Sequence, residues 1–252
     1  METESFLTID NQPISLSQAL SYLRATGDLQ TFLLKIIRQH ILEIELKTRH
    51  DLEIDLSLIE QAVLDFRLVN QLADPDQFQS WLQSQSLSYD DFRHQIAAGL
   101  RIEKLKSVVT TPALEQYFIQ EKPLLDQVVI SRIVVDNLDL AVELQHQILD
   151  DGKLFEHIAK EHSITSDSLT NGMIGAISLG QLPESVRNIV MDAPPSVLLG
   201  PVEHEGNYIL LRVERWLPAN LEGQLKQQLQ EKLFDQWLQE KAAKLAIKMH
   251  VD

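Results

Sequence analysis

The apolar residues of this chain change their spacing twice, and that change restricts the fold more than any other feature. Over the first half they recur at i, i+3 and i+4, the spacing that loads one face of a helix. Leu16, Ala19, Leu20 and Leu23 form one such face, opened by Ser15 and Gln18 at capping-box spacing and stopped by Gly27. Leu29, Phe32, Leu33, Ile36, Ile37, His40, Ile41 and Ile44 form the next. His40 lies on that apolar stripe, so it is expected to be a buried, hydrogen-bonded structural histidine. Further helices are expected over 56–72 and 76–83, the second with Phe78, Trp81 and Leu82 turned inward. Another opens at Ser88, with Asp91 placed to cap it and Phe92, Ile96 and Leu100 on its apolar face. Thr111-Pro112 reads as an N-cap and first-turn pair opening a separate helix that ends near Lys122-Pro123.

From Val128 the pattern is different. Val128, Val129, Ile130, Ile133, Val134 and Val135 make a β-branched run typical of a strand. Helices are expected over 139–151, closed by Gly152, and over 154–162. The Gly-punctuated stretch NGMIGAISLGQLP follows, then a helix over 184–191, a Pro194-Pro195 turn, and strands over 198–202 and 208–213. After Pro218 helix spacing returns, with Leu221, Leu225, Leu229, Leu233, Phe234, Trp237 and Leu245 on one long helix, and IKMHV able to add a terminal strand. The expected fold class is α+β: a mostly helical N-terminal domain over 1–122, an inserted β-α-α-β-α-β-β module over 123–217, and a C-terminal helix over 218–252 that packs back on the first part. The sequence has no internal repeat and no low-complexity linker.

Composition excludes several functions. With 44% hydrophobic residues over 252 positions the chain is able to bury a real core. Its 37 acidic and 22 basic residues leave a formal charge of −15, which repels a phosphate backbone and argues against nucleic acid as a partner. With no cysteine there is no disulfide framework, thiolate nucleophile or Cys-ligated metal. METESFLTIDNQPIS has neither a basic n-region nor an apolar h-region, and no apolar run is long enough to span a bilayer. Cytoplasmic location without stable membrane insertion is therefore the expectation. No P-loop, dinucleotide fingerprint or G-x-S-x-G elbow is present. In HIAKEH, His157 and Glu161 share a helical face, but His162 falls one residue off either zinc-protease spacing. No metal and no cofactor are expected.

The segment from about Leu125 to Leu217 resembles the parvulin family of peptidyl-prolyl isomerases, the PpiC-like type. VVISRIVV is similar to the family's first strand. GKLFEHIAKEHSI is similar to its Gly-x-x-Phe-x-x-x-Ala-x-x-x-Ser pattern, through Gly152, Phe155, Ala159 and Ser163. NGMIGAISLGQLP resembles the Gly-Gly-x-Leu-Gly loop through Gly172, Gly175, Gly180 and Pro183, and GPVEHEGNYILLRVE resembles the closing hairpin through Gly200, Pro201, Val202 and Gly206. The IDNQPIS opening, the helices that follow and the C-terminal helix containing WL resemble the chaperone frame of parvulin-containing foldases. The resemblance implies a small antiparallel sheet and a client that is a peptide or an unfolded or precursor polypeptide; it does not name that client or give an oligomeric state.

It also implies a site. In the family, two histidines on central strands and a Cys or Asp beside them line an apolar pocket for the proline ring. Carried over by position, Arg132 and Tyr208 stand at the histidine places and Met173 at the Cys/Asp place, so the usual catalytic set is replaced. Leu182 takes the place of a Met, and Val186 or Ile189 that of a Phe. Arg132, Met173, Leu182, Val186, Ile189 and Tyr208 are thus the candidate peptide-binding residues. Arg offers five donors and Tyr one, so Arg132 and Tyr208 are able to bond each other or a client carbonyl. The plainer reading makes Arg132 an exposed strand residue, Tyr208 a packing residue and Met173 core. Two functions follow: a prolyl isomerase and foldase with an altered residue set, or an inactive parvulin-like chaperone or peptide-binding module.

Overall fold

The computed structural model describes residues 5–249, which divide into two compact units: residues 5–114 with 227–249, and residues 115–226. The α+β class holds, with a four-stranded antiparallel sheet in the second unit and helices dominating the first.

In the first unit, β1 (Ser5–Ile9) and β2 (Gln12–Ser15) form a hairpin that the periodicity did not announce. Its two-residue turn is Asp10-Asn11, both at positive φ, as a tight hairpin of this twist requires. Ser15 then caps α1 (Leu16–Thr26): its Oγ accepts from Gln18 N, Gln18 Oε1 accepts from Ser15 N, and Gly27 closes the helix at φ 82°. Beyond it α2 (Leu29–Thr48) buries Ile41 and Leu42. His40 is exposed, not buried as the apolar stripe suggested. The protein-facing line passes one residue further on, through Ile37, Ile41 and Leu42.

Next come α3 (Leu56–Val69), α4 (Pro75–Ser84), with Asp74 Oδ1 accepting from the backbone of Asp76 and Gln77, and α5 (Tyr89–Leu125). The expected second helix starting at Thr111-Pro112 does not exist as a separate element, because α5 continues straight through that pair. Thr110 and Thr111 donate their hydroxyls to the carbonyls of Lys106 and Ser107, four residues back, and the helix continues around the proline. Phe78, Leu82, Phe92 and Val63 form one apolar cluster with Phe66 and Trp81, in which the Phe66 ring stands 5.2 Å from Trp81 and 5.0 Å from Phe92. A second cluster joins Ile41, Leu42, Leu52 and Leu105 to Phe234 and Leu238 of the C-terminal helix. Among the described residues, no helix is long and apolar enough to cross a membrane.

The second unit is built on β3 (Gln127–Val135). After it come α6 (Leu138–Leu149), α7 (Phe155–His162), β4 (Met173–Ser178), α8 (Glu184–Val190), β5 (Leu198–His204) and β6 (Asn207–Leu217). The strand order is β4-β3-β6-β5, every neighbour antiparallel. Period-2 alternation in β3 and β6 sends side chains to two cores. Ile130, Val134, Ile209, Leu211 and Val213 meet Leu182, Val186 and Val190 around α8. Ile133, Val135 and Leu210 meet Ala141, Leu144, Phe155, Ile158 and Ala159 of α6 and α7. β5 and β6 are both longer than the sequence pattern suggested, because their half-buried ends alternate too weakly to read. The C-terminal helix, α9, covers Gly223–Ala243. Residues 246–249 are irregular, so the start of IKMHV forms no strand; His250 and Val251 lie outside the described residues.

Candidate functional site

The family-like motifs have physical reasons in the second unit. Phe155 and Ala159 are core residues of α7. Gly172 approaches them so closely that an added Cβ would lie 3.0 Å from Ala159 Cβ and 2.5 Å from the Arg132 carbonyl oxygen. Its φ of +84° is in the left-handed region as well, so both conformation and space demand glycine there. The approach exists because Arg132 N donates to Gly172 O at 2.8 Å, just beyond the β3–β4 bulge between Ile130 and Ser131. Ser163, the last residue of the helix motif, accepts from Val134 N at 3.0 Å, and Ile164 N donates to Val134 O at 2.9 Å. The segment 163–172 therefore covers the free edge of β3 where β4 has left it.

Arg132 sits on this covered stretch. It pairs with Leu211 across the sheet, and its i±2 neighbours Ile130 and Val134 belong to the α8 core together with Leu211. Alternation therefore puts its side chain on the α8 side, with Leu182 and Val186. Arg132 Nε donates to Asp167 Oδ2 at 2.6 Å. Thr165 donates its hydroxyl to Asp167 Oδ1, and Thr165 Oγ1 lies 3.1 Å from Ser163 Oγ. Since the Thr165 proton is used on Asp167, Ser163 must donate to Thr165 while it accepts from Val134 N. The result is one continuous polar chain from the β3 backbone through Ser163, Thr165 and Asp167 to the Arg132 guanidinium. Asp167 is also pinned by its backbone, whose carbonyl accepts from Gly172 N at 2.8 Å and from the Thr170 hydroxyl at 2.9 Å.

The other candidate residues are placed as follows. Leu182 and Val186 are buried, 7% and 4% exposed, and their side chains fill the α8 core. Ile189 is 38% exposed at the end of α8. Met173 opens β4, opposite Ser131, and at 52% exposure it is not the core residue that the plainer reading allowed. Tyr208, the second residue of β6, stands opposite Val135 and packs on the α6/α7 core, on the other side of the sheet from the α8 core. Arg132 hydrogen-bonds Asp167 and not Tyr208. Asp167 and Thr165 were missed by the sequence reading. Their only signal was the run of polar residues after the helix motif, and a 3-10 turn over Ser166–Thr170 is what swings Asp167 back toward Thr165 and Arg132.

A second charged cluster lies on the α6/α7 side. Arg212 Nε donates to Glu214 at 2.8 Å, an Nη donates to Glu156 at 2.6 Å, and the guanidinium stacks 4.7 Å from the Phe155 ring centre. The hydrogen bond from Arg212 holds the Glu156 carboxyl below its usual range. Burial pulls Arg212 down, but its bonds to Glu156 and Glu214 outweigh that and raise it.

Residues 135–215 match the family model described as rotamase, PPIC-type PPIASE domain. The match takes in Met173, Tyr208 and the α8 residues, whereas Arg132 lies three positions before it. Several solved structures are similar in part. The PrsA peptidylprolyl isomerase of Bacillus cereus is 15% identical, with 99% of this chain and 95% of that one covered, at a TM-score of 0.49. That of Bacillus anthracis is 19% identical over 86% of this chain and 100% of its own, at 0.44. NmPin, the parvuline of Nitrosopumilus maritimus, is 22% identical over 36% of this chain and 97% of its own, at 0.33. The segment 135–215 of this chain is a PPIC-type domain.

Proposed function

We propose that the protein is a parvulin-type foldase that binds peptide or unfolded polypeptide through its PPIC-type domain and holds Xaa-Pro segments without isomerising them efficiently. The observation that carries this is the Arg132–Asp167 pair at 2.6 Å, with Leu182 and Val186 closed into the core beside it.

Rotation about a peptide bond meets a barrier of roughly 18–20 kcal/mol. A catalyst of prolyl isomerisation needs neither nucleophile nor cofactor. It must seat the ring in an apolar pocket, exclude water from the amide and favour the twisted state over both planar ones. A guanidinium already hydrogen-bonded to a carboxylate presents fixed donors to a carbonyl, and such donors bind both planar isomers about equally. Equal binding of ground and transition states gives affinity without rate. Burial of Leu182 and Val186 leaves Met173 and Ile189 as the accessible apolar contacts, which suits an extended chain better than an enclosed proline ring.

The test is exchange NMR on capped Xaa-Pro peptides, with the full chain present and absent, read together with the protein's own resonances. The expected result is shifted signals at Arg132, Met173 and Ile189 with cis/trans exchange accelerated no more than a few-fold. Strong acceleration that disappears in Arg132→Gln or Tyr208→Phe would overturn this reading in favour of an active isomerase with an altered residue set.

A further inference from the structure

Arg132 is held from one side only. Among the described residues its Nε bonds Asp167 Oδ2, while neither Nη makes a hydrogen bond, and its side chain remains 35% exposed. Asp167 in contrast is nearly covered, its side chain 11% exposed, and both of its carboxylate oxygens are engaged. Bonding through Nε fixes the plane of the guanidinium and leaves the outer edge, which carries the remaining donors, for a ligand. The pair is also close to neutral as a unit, because the carboxylate lies 2.6 Å from the cation.

We propose that Asp167 is a positioning and specificity residue: it orients Arg132 and cancels its charge, so that the site takes an uncharged backbone carbonyl of the client and gives no preference to acidic segments. This rests on the proposed binding of polypeptide at the PPIC-type domain. An Arg alone at this place would recruit carboxylates, which accept its planar fork in two parallel bonds. Asp167 already balances the charge from within, through a single bond at Nε that leaves the Nη donors for a carbonyl. Ser163 and Thr165 serve the same end, because their hydroxyl chain fixes the carboxylate that fixes the arginine.

The experiment is an NMR titration of the full chain with two capped peptides, one Ala-Ala-Pro-Phe and one with Glu before the proline. Each is titrated into the wild type, Asp167→Asn and Asp167→Glu. The wild type is expected to bind the two peptides within about twofold of each other, and its affinity for the neutral one to change little between low and moderate salt. Asp167→Asn is expected to shift the ratio toward the acidic peptide by about fivefold, the scale of one unit-charge contact across ~4 Å of water. Asp167→Glu is expected to restore the wild-type ratio. A role in folding alone would weaken both peptides together and leave the ratio unmoved, which overturns the inference. So does a wild type that prefers the acidic peptide and loses that preference in salt, a measurement that stands even if Asp167→Asn fails to fold. If the wild type binds neither peptide, the proposed function itself fails and this inference fails with it.

Discussion

Arg212 shows how one side chain on a sheet can be held by charge, hydrogen bonds and an aromatic face at once. Glu156, Glu214 and the Phe155 ring all converge on it. Because Glu156 is 42% exposed at its side chain, solvent screens the pair, and Glu156→Gln is expected to cost only about 0.5–1 kcal/mol at pH 7. The Glu156 carboxyl is held below its usual range, so its contribution is complete above the unfolded carboxylate value of about 4.3 and is lost as pH falls through the lower folded value. Thermal melts of wild type and Glu156→Gln should therefore converge only below about pH 4; a difference that is constant down to pH 2 contradicts this account. Gly172 is the stricter case. Its alanine variant must find room for a Cβ 2.5 Å from the Arg132 carbonyl at a φ of +84°, and a loss of at least about 2 kcal/mol in urea unfolding is expected. The same variant is expected to move the Arg132 amide resonance, since that amide bonds the Gly172 carbonyl.

At the scale of elements, α5 is the instructive one. A proline in a helix interior removes one hydrogen bond and crowds the carbonyl four residues back, which costs about 3 kcal/mol where nothing relaxes it. Pro112 stands inside α5 all the same, preceded by two threonines whose hydroxyls bond back to Lys106 and Ser107. Pro112→Ala is expected to raise the stability of the chain by about 1–3 kcal/mol, as the missing bond is restored. Urea denaturation measures it, and a destabilised variant would mean that the shape given by the proline is itself needed for packing. The strands of the sheet differ in the same instructive way. β3 is apolar on both sides and easily read, whereas β4 carries exposed Met173 and Ile174 and half-buried Ile177, so its pairing is decided by the bulge at Ile130/Ser131 and not by pattern.

At the scale of the whole molecule, the two compact units have separate cores. Phe234 is fully buried between Leu105, Leu52 and Leu238 in the first, and stacks on Trp237 at 5.6 Å between ring centres. Phe234→Ala is expected to cost about 3–5 kcal/mol, the range for truncating a buried aromatic ring. Amide exchange should report that loss in Ile41, Leu42 and Leu105 of the first unit. The amides of Ile133, Val134 and Leu210, in the second, are expected to keep their protection. Equal loss in both units would show that the two unfold as one cooperative body.

Periodicity alone determined the order of helices and strands over 127–217, and the α+β class with it, because helix and strand faces leave different spacings in a linear string. The parvulin-like motifs were legible for the same reason: Phe155, Ala159, Ser163 and Gly172 serve local packing and local backbone bonds, which depend on near neighbours in the chain. The uninterrupted course of α5 was not legible, since a Thr-Pro pair has the same letters at a helix start and in a relaxed interior. His40 turned outward because a small rotation of the helix decides which edge of an apolar stripe is covered, and only the packing partner sets that rotation. Tyr208 and Arg132 occupy matching places in the motif, yet the strand pleat sends them to different cores. The pairing of Arg132 with Asp167, 35 residues apart in sequence, needed the tertiary structure most of all. It exists because the 163–172 segment folds over the open edge of β3, and no spacing rule in one dimension records which edge a loop will cover.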